Sequence, residues 1–190
     1  MSNPTQASQA ERSNHDTLRA LVKERAYKEG KFILSSGKES DYYFDAKKVL
    51  LDQQGSRLFA LWILEQIESR DLHPVAIGGL EIGAIPVACV TMALAKFPLR
   101  TFVVRKKTKA HGTGNQIEGD LKRGDRVVVV DDVITTGEST MKAVRALEED
   151  GVEVVAIYSL VDRHEGHVAD FQAKAAIFRP AFAIEDFRRA

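Results

Sequence analysis

The run from Val127 to Thr140, VVVVDDVITTGEST, limits this chain more than any other stretch. Four consecutive valines suit a strand covered on both faces, as in a parallel sheet flanked by helices. The strand ends in Asp131 and Asp132, and the small residues that follow turn it into a helix. The acid pair therefore lies at a strand carboxyl end, where open α/β sheets place their ligands.

Thr135, Thr136, Gly137, Ser139 and Thr140 offer hydroxyls and backbone N–H groups at the start of that helix, a setting that attracts phosphate. Two carboxylates beside a phosphate cradle would repel a bare anion. The ligand should therefore also present hydroxyls or a metal, and a ribose 5-phosphate meets that requirement. The alternative is a plain strand-to-helix turn capped by Asp132.

An apolar strand, two acids and a Thr/Gly-rich loop resemble the phosphoribosyl diphosphate motif of the type I phosphoribosyltransferases. The fold this implies is α/β: a central parallel sheet flanked by helices, with a small hood subdomain. The resemblance further implies that Asp131, Asp132, Val133, Ile134, Thr135, Thr136, Gly137, Glu138 and Ser139 bind phosphoribosyl diphosphate, with Thr135 also near the base.

Length and composition are compatible with this. The 190 residues suggest one domain over 15–190, with 1–14 a polar, flexible tail, and 44% apolar residues suffice for a core. Lys plus Arg and Asp plus Glu balance at 27 each, so no global charge draws the chain to nucleic acid or an anionic membrane. The single cysteine, Cys89, excludes an internal disulfide and suits a reducing compartment. Its apolar neighbours predict an inert core thiol. The N-terminus has no apolar signal-peptide core, and the run from Ile82 to Ala95 is shorter than a membrane span. A cytoplasmic protein is expected.

Along the chain, a helix is expected from Asn14 or Asp16 to Glu29, stopped by Gly30. Phe32 to Leu34 and Tyr42 to Asp45 read as a hairpin. A helix from Gly55 to Arg70 carries Leu58, Leu61, Trp62, Leu64 and Ile67 toward the core. Pro74 to Ile77 forms a strand, and Gly78-Gly79 opens a turn whose N–H groups can approach a diphosphate before a helix near Pro86. Strands Arg100 to Val104, Val154 to Val161 and Ala175 to Phe178, with a helix Glu138 to Asp150, complete an alternation that predicts a parallel sheet.

Tyr43 and Phe44 are either hood core or a wall against a planar base. FILSSG followed by SDYYF is similar to the hood segment of orotate phosphoribosyltransferases, built here from about 30–50 plus the C-terminal segment. Some members carry a lysine where Ser35 stands, and some carry one where Gly83 stands in the diphosphate turn GGLEIGAIP.

The loop RKKTKAHGTGNQIEGD is polar and long enough to be a lid. Its cations, Arg105, Lys106, Lys107, Lys109 and protonated His111, would repel one another unless an anion lay beneath them. R-K-x-x-K-x-H-G ahead of D-D-V-I-T-T-G resembles the catalytic loop of the same family. This implies that Arg105, Lys106, Lys109 and His111 bind the diphosphate, with Lys109 stabilising the leaving group. After the last long strand, Arg163 in DRHEG has a fork suited to a carboxylate, unless it is occupied by Asp162 or Glu165. In the family this arginine reads the orotate carboxylate.

The resemblance thus implies orotate phosphoribosyltransferase activity with Mg²⁺, held by ligand oxygens and water with no site made by protein alone. It also implies a homodimer in which loop 105–119 covers the neighbouring site. Two competitors keep the acid pair: a phosphoribosyltransferase for another base, which need not keep Arg163, and a non-catalytic regulator, which could lose the cationic loop.

Overall fold

The computed structural model describes residues 4–33, 37, 39–106, 116–165, 171 and 177–188. The leading helix α1 spans Pro4–Leu21 and widens into a π-helical turn, Val22–Ala26. It thus opens well before Asn14 and gives way to strand before Gly30. Leu18, Leu21 and Val22 are buried, so packing sets its inner end.

Strands β1 (Tyr27–Ile33) and β2 (Glu39–Phe44) form an antiparallel hairpin outside the main sheet. Phe187, fully buried, fastens the hairpin to the body through ring contacts with Tyr27 at 6.2 Å and Phe44 at 6.3 Å. The expected hood therefore has a C-terminal anchor.

After the short helix α2 (Lys47–Leu50), helix α3 (Gln53–Ser69) starts two residues before the expected Gly55. The Asp52 carboxylate accepts from the backbone N–H of Gln54 and Gly55, meeting two donors that the first turn leaves unpaired. Leu58, Phe59, Trp62, Ile63 and Ile67 then face the sheet, and Trp62 is core as read from sequence.

The main sheet has six strands in the order β5-β4-β3-β6-β7-β8. They are β3 (Ala76–Leu80), β4 (Arg100–Val104), β5 (Ile117–Glu118), β6 (Arg126–Ile134), β7 (Glu153–Asp162) and β8 (Phe178–Ala183). All neighbours are parallel except β4 and β5. Helices α4 (Ala84–Leu94) and α5 (Glu138–Glu149) complete the layers.

Three local expectations are corrected. Gly78 and Gly79 lie inside β3, not in a turn, and a Cβ on either would meet a neighbouring strand carbonyl at 2.0 and 2.3 Å. The last strand starts at Phe178 and pairs with β7 through Phe182 and Ala183. Cys89 is exposed, because α4 turns Ala84, Val87, Ala88 and Thr91 inward and leaves position 89 outside.

The valines of β6 alternate between the two layers. Val128 and Val130 join the core beneath α3 and α4, whereas Val127 and Val129 join the core beneath α5. This parity continues into the acid pair. It directs Asp131 toward α5 and Asp132 toward the β3–α4 turn.

Candidate active site

Asp131, on the α5 side of β6, is 8% exposed, and its Oδ2 accepts from the buried Thr140 hydroxyl at 2.8 Å. Thr140 is thus turned inward and is not one of the hydroxyls open to a phosphate. Asp131 Oδ1 accepts from the Asp132 backbone N–H at 2.9 Å, and Asp132 Oδ1 from that of Val133 at 2.9 Å. Asp132 does not cap α5. The N-cap is Gly137, at φ 77°, where no side chain caps the helix.

Burial, and next the negative charge of Asp132, push the Asp131 carboxyl from 3.8 up to about 7, with Thr140 opposing the shift. The folded value lies above the unfolded one. The associated stability is therefore full below about pH 4 and lost as the pH rises to about 7, above which both states are ionised. Asp131→Asn should match wild type in Tm near pH 4 and exceed it increasingly up to about pH 7, then level off. A pH-independent Tm difference would contradict this burial argument.

A cleft of about 370 Å³ lies over the acids. Asp131, Asp132, Val133 and Ser139 line one side, Leu80 to Gly83 and Pro86 another, with Lys47, Leu50, Leu51 and Lys106 around the rim. The clearance depends on Gly83. A Cβ there would lie 2.6 Å from Asp132 Oδ1 and 3.1 Å from Asp131 Oδ1. Position 83 is thus pressed against the carboxylates.

Lys47 was not anticipated as part of this cleft. Its Nζ pairs with Asp45 at 3.2 Å. Burial lowers its pKa, but the attraction of Asp45, followed by that of Asp132, outweighs burial and leaves it raised. Glu81 was also missed: its Oε1 accepts from the Lys106 backbone N–H at 2.8 Å, joining the β3–α4 turn to the root of the cationic loop. Glu81 lies within the GGLEIGAIP turn and Lys47 at the end of the hood segment, but nothing local in either stretch marks these side chains.

The two described loop cations take different places. Lys106 reaches the cleft, whereas Arg105 pairs with Glu118 at 3.2 Å and ties the start of the loop to its return strand β5. Lys109 and His111 lie outside the described residues. Thr135, Thr136, Gly137 and Glu138 continue along the same edge beyond the cleft lining. Gly137 has no room for another side chain, since a Cβ would meet the Phe171 ring at 2.4 Å.

Arg163 follows β7 directly, and its N–H donates to the Ile134 carbonyl at 2.9 Å, beside the end of β6. Its Nε donates to the Tyr42 hydroxyl at 2.7 Å, and its Nη2 pairs with Glu165 at 2.7 Å. Of the hood aromatics, Tyr43 is 40% exposed and packs on Phe32 at 5.6 Å, while Phe44 packs on Phe187. Tyr42, not Tyr43 or Phe44, makes the polar contact with Arg163.

Residues 48–180 match the family described as phosphoribosyl transferase domain. The orotate phosphoribosyltransferase of Pyrococcus furiosus is 43% identical over 169 residues, 89% of this chain and 88% of that protein. The chain belongs to the orotate phosphoribosyltransferase family.

Solved structures of the family agree. The Mycobacterium tuberculosis H37Rv orotate phosphoribosyltransferase in complex with Fe(III) dicitrate superposes with a TM-score of 0.81 at 36% identity, covering 93% of this chain and 99% of that one. The same enzyme in complex with 5-phospho-alpha-D-ribosyl 1-diphosphate gives 0.75 at 33%, covering 92% and 98%. The α/β fold is therefore the type I phosphoribosyltransferase fold, as read from the sequence. Within this family fold, the β6 acid pair and the turn after it occupy the carboxyl edge of the sheet.

Proposed function

We infer that the chain transfers the phosphoribosyl group of phosphoribosyl diphosphate to orotate, forming orotidine 5′-monophosphate and diphosphate, a step of pyrimidine biosynthesis. The observation that carries the mechanism is the acid pair lining a cleft whose rim holds Lys47 and Lys106. The base nitrogen is the nucleophile, so no protein nucleophile is needed. As the bond to diphosphate breaks, positive charge grows at the anomeric carbon and negative charge on the leaving group. Carboxylates on the sugar side and cations on the diphosphate side oppose both developments.

Asp131 and Asp132 hold the ribose hydroxyls in this scheme. The 5′-phosphate is held by the turn 135–139, whose helix lacks a side-chain cap. Arg105, Lys106, Lys109 and His111 serve the diphosphate, with Arg105 also paired to Glu118 of β5. Arg163, with Thr135, addresses the orotate carboxylate edge, while Tyr43 and Phe44 form the hood wall beside the base.

Mg²⁺ belongs to the proposal as well. The ion would be held mainly by diphosphate and ribose oxygens of the ligand with water between, which suits a hard cation that keeps much of its water. When bound, the ion offsets diphosphate charge.

A homodimer is supported by α4, AIPVACVTMAL, which carries no charged residue and exposes Cys89 and Met92. A helix apolar all round is normally covered. The loop 105–119 then closes over the neighbouring site. Among the described residues no helix is long and apolar enough to cross a membrane. Cytoplasmic location is proposed on the lone cysteine.

Diphosphate release measured with orotate, uracil, adenine and hypoxanthine tests the activity. Orotate alone should support turnover, and Arg163→Ala should raise the orotate KM roughly ten- to thirtyfold while leaving the phosphoribosyl diphosphate KM nearly unchanged. Turnover with a purine, or an unchanged orotate KM, would remove the base assignment.

Lys109→Ala should lower kcat about tenfold or more with a smaller change in ground-state phosphoribosyl diphosphate binding, because a closing loop contributes most in the transition state. Mixing it with an Asp131→Asn, Asp132→Asn variant should restore activity in heterodimers, each of which has one site with both parts intact. No recovery after verified subunit exchange would place the loop over its own site.

A further inference from the structure

Arg163 carries a cation that is only 13% exposed, and two neighbours hold it in different ways. Tyr42 reaches it from the hood, on strand β2. The hydroxyl accepts from Nε at 2.7 Å, and the guanidinium carbon stands 4.9 Å from the ring centroid. Tyr42 is itself 6% exposed, so its contact is built into the packing of the hood. An oxygen at Nε leaves the two terminal nitrogens free, and they form the edge that receives a carboxylate in bidentate fashion.

Glu165 covers part of that edge, at 2.7 Å from Nη2, yet its side chain is 42% exposed. It returns to Arg163 because His164 adopts φ 51° and is pinned there. The His164 N–H donates to Asp162 Oδ1 at 2.9 Å, and its ring lies between Asp162 at 3.3 Å and Glu185 at 3.1 Å. The arginine is thus enclosed and fixed. Its carboxylate partner is the exposed member of the pair.

We propose that Tyr42 is a positioning residue for Arg163, and that Glu165 is an internal stand-in for the substrate carboxylate, giving up its place on the guanidinium when the base binds. The proposal rests on the reading of Arg163 as the orotate contact. A nearly buried guanidinium without a partner is costly, so Glu165 satisfies it while the base site is empty. Orotate then exchanges one carboxylate for another. Its apparent affinity is reduced by the fraction of molecules in which Glu165 occupies the edge.

Steady-state kinetics of Glu165→Gln, Tyr42→Phe and Arg163→Ala, with both substrates varied, test this. Glu165→Gln should lower the orotate KM about three- to tenfold, and Glu165→Asp should return it toward wild type. Tyr42→Phe, which keeps the ring, should raise the orotate KM about five- to tenfold, leave the phosphoribosyl diphosphate KM within about twofold, and leave Tm near wild type.

An orotate KM that rises or stays level in Glu165→Gln overturns the stand-in role. An orotate KM unaltered in Tyr42→Phe, or both KM values rising together, overturns the positioning role. If Arg163→Ala raises the orotate KM while the other two variants fail, only this proposal falls. If Arg163→Ala leaves it unchanged, the orotate reading of the site falls with it.

Discussion

Asp131→Asn combined with Asp132→Asn should lower kcat roughly 10²- to 10³-fold, the scale expected when charge stabilisation aimed at a transition state is removed. The two acids contribute unequally. Asp131 is enclosed, hydrogen bonded to Thr140 and shifted up to about 7, whereas Asp132 is the half-buried acid lining the cleft beside Gly83. Asp132→Asn alone should therefore account for most of the loss in kcat. Asp131→Asn should carry most of the change in thermal stability. Single-turnover rates of the two single variants, set beside their melting curves, check the division; equal effects on both readouts would refute it.

Gly83→Ala should lower kcat about 100-fold while leaving a folded protein with a nearly wild-type Tm. A displacement of the order of 1 Å in a reacting group can cost this much. The backbone at Gly83 is ordinary, with φ −57° and ψ −40°, so alanine introduces no conformational strain. Its methyl carbon would instead lie 2.6 Å from the Asp132 carboxylate, and a side-chain end is free to move. What moves is the acid proposed to hold the ribose hydroxyls.

Gly78 provides the contrast. A Cβ there meets the Phe102 carbonyl oxygen at 2.0 Å, backbone that cannot yield locally, so Gly78→Ala should reduce folded yield before activity is measured. Melting curves and kcat for the two variants separate a glycine kept for the site from one kept for the sheet. A strongly destabilised Gly83→Ala protein, or one of normal activity, would contradict this account.

Much of the site was readable because its signals are local. The valine run, the acid pair and the small residues after it are adjacent in sequence, and a strand followed by a helix forces them to one edge of the sheet. The period of two that sends Val127 and Val129 to one layer, and Val128 and Val130 to the other, also sends Asp131 and Asp132 apart. That division was present in the sequence, but its consequence was not. The layer beneath α5 is closed by Thr140, whereas the other side opens onto the cleft.

The sequence by itself determined the alternation of strands and helices, the parallel sheet, and the strand-to-helix turn that sets the acid pair at the sheet's carboxyl edge. The turn and the acid pair depend on residues within one turn or strand of each other, and the sheet on the alternation of such segments along the chain. Only the tertiary structure decided that Gly83 clears Asp132, that Lys47 reaches the rim, and that Arg105 pairs with Glu118 of β5. It also decided that Tyr42 holds Arg163, a contact between residues 121 positions apart. Such pairings follow from how the hood, the β3–α4 turn and the sheet edge are packed together, and no local period encodes that packing.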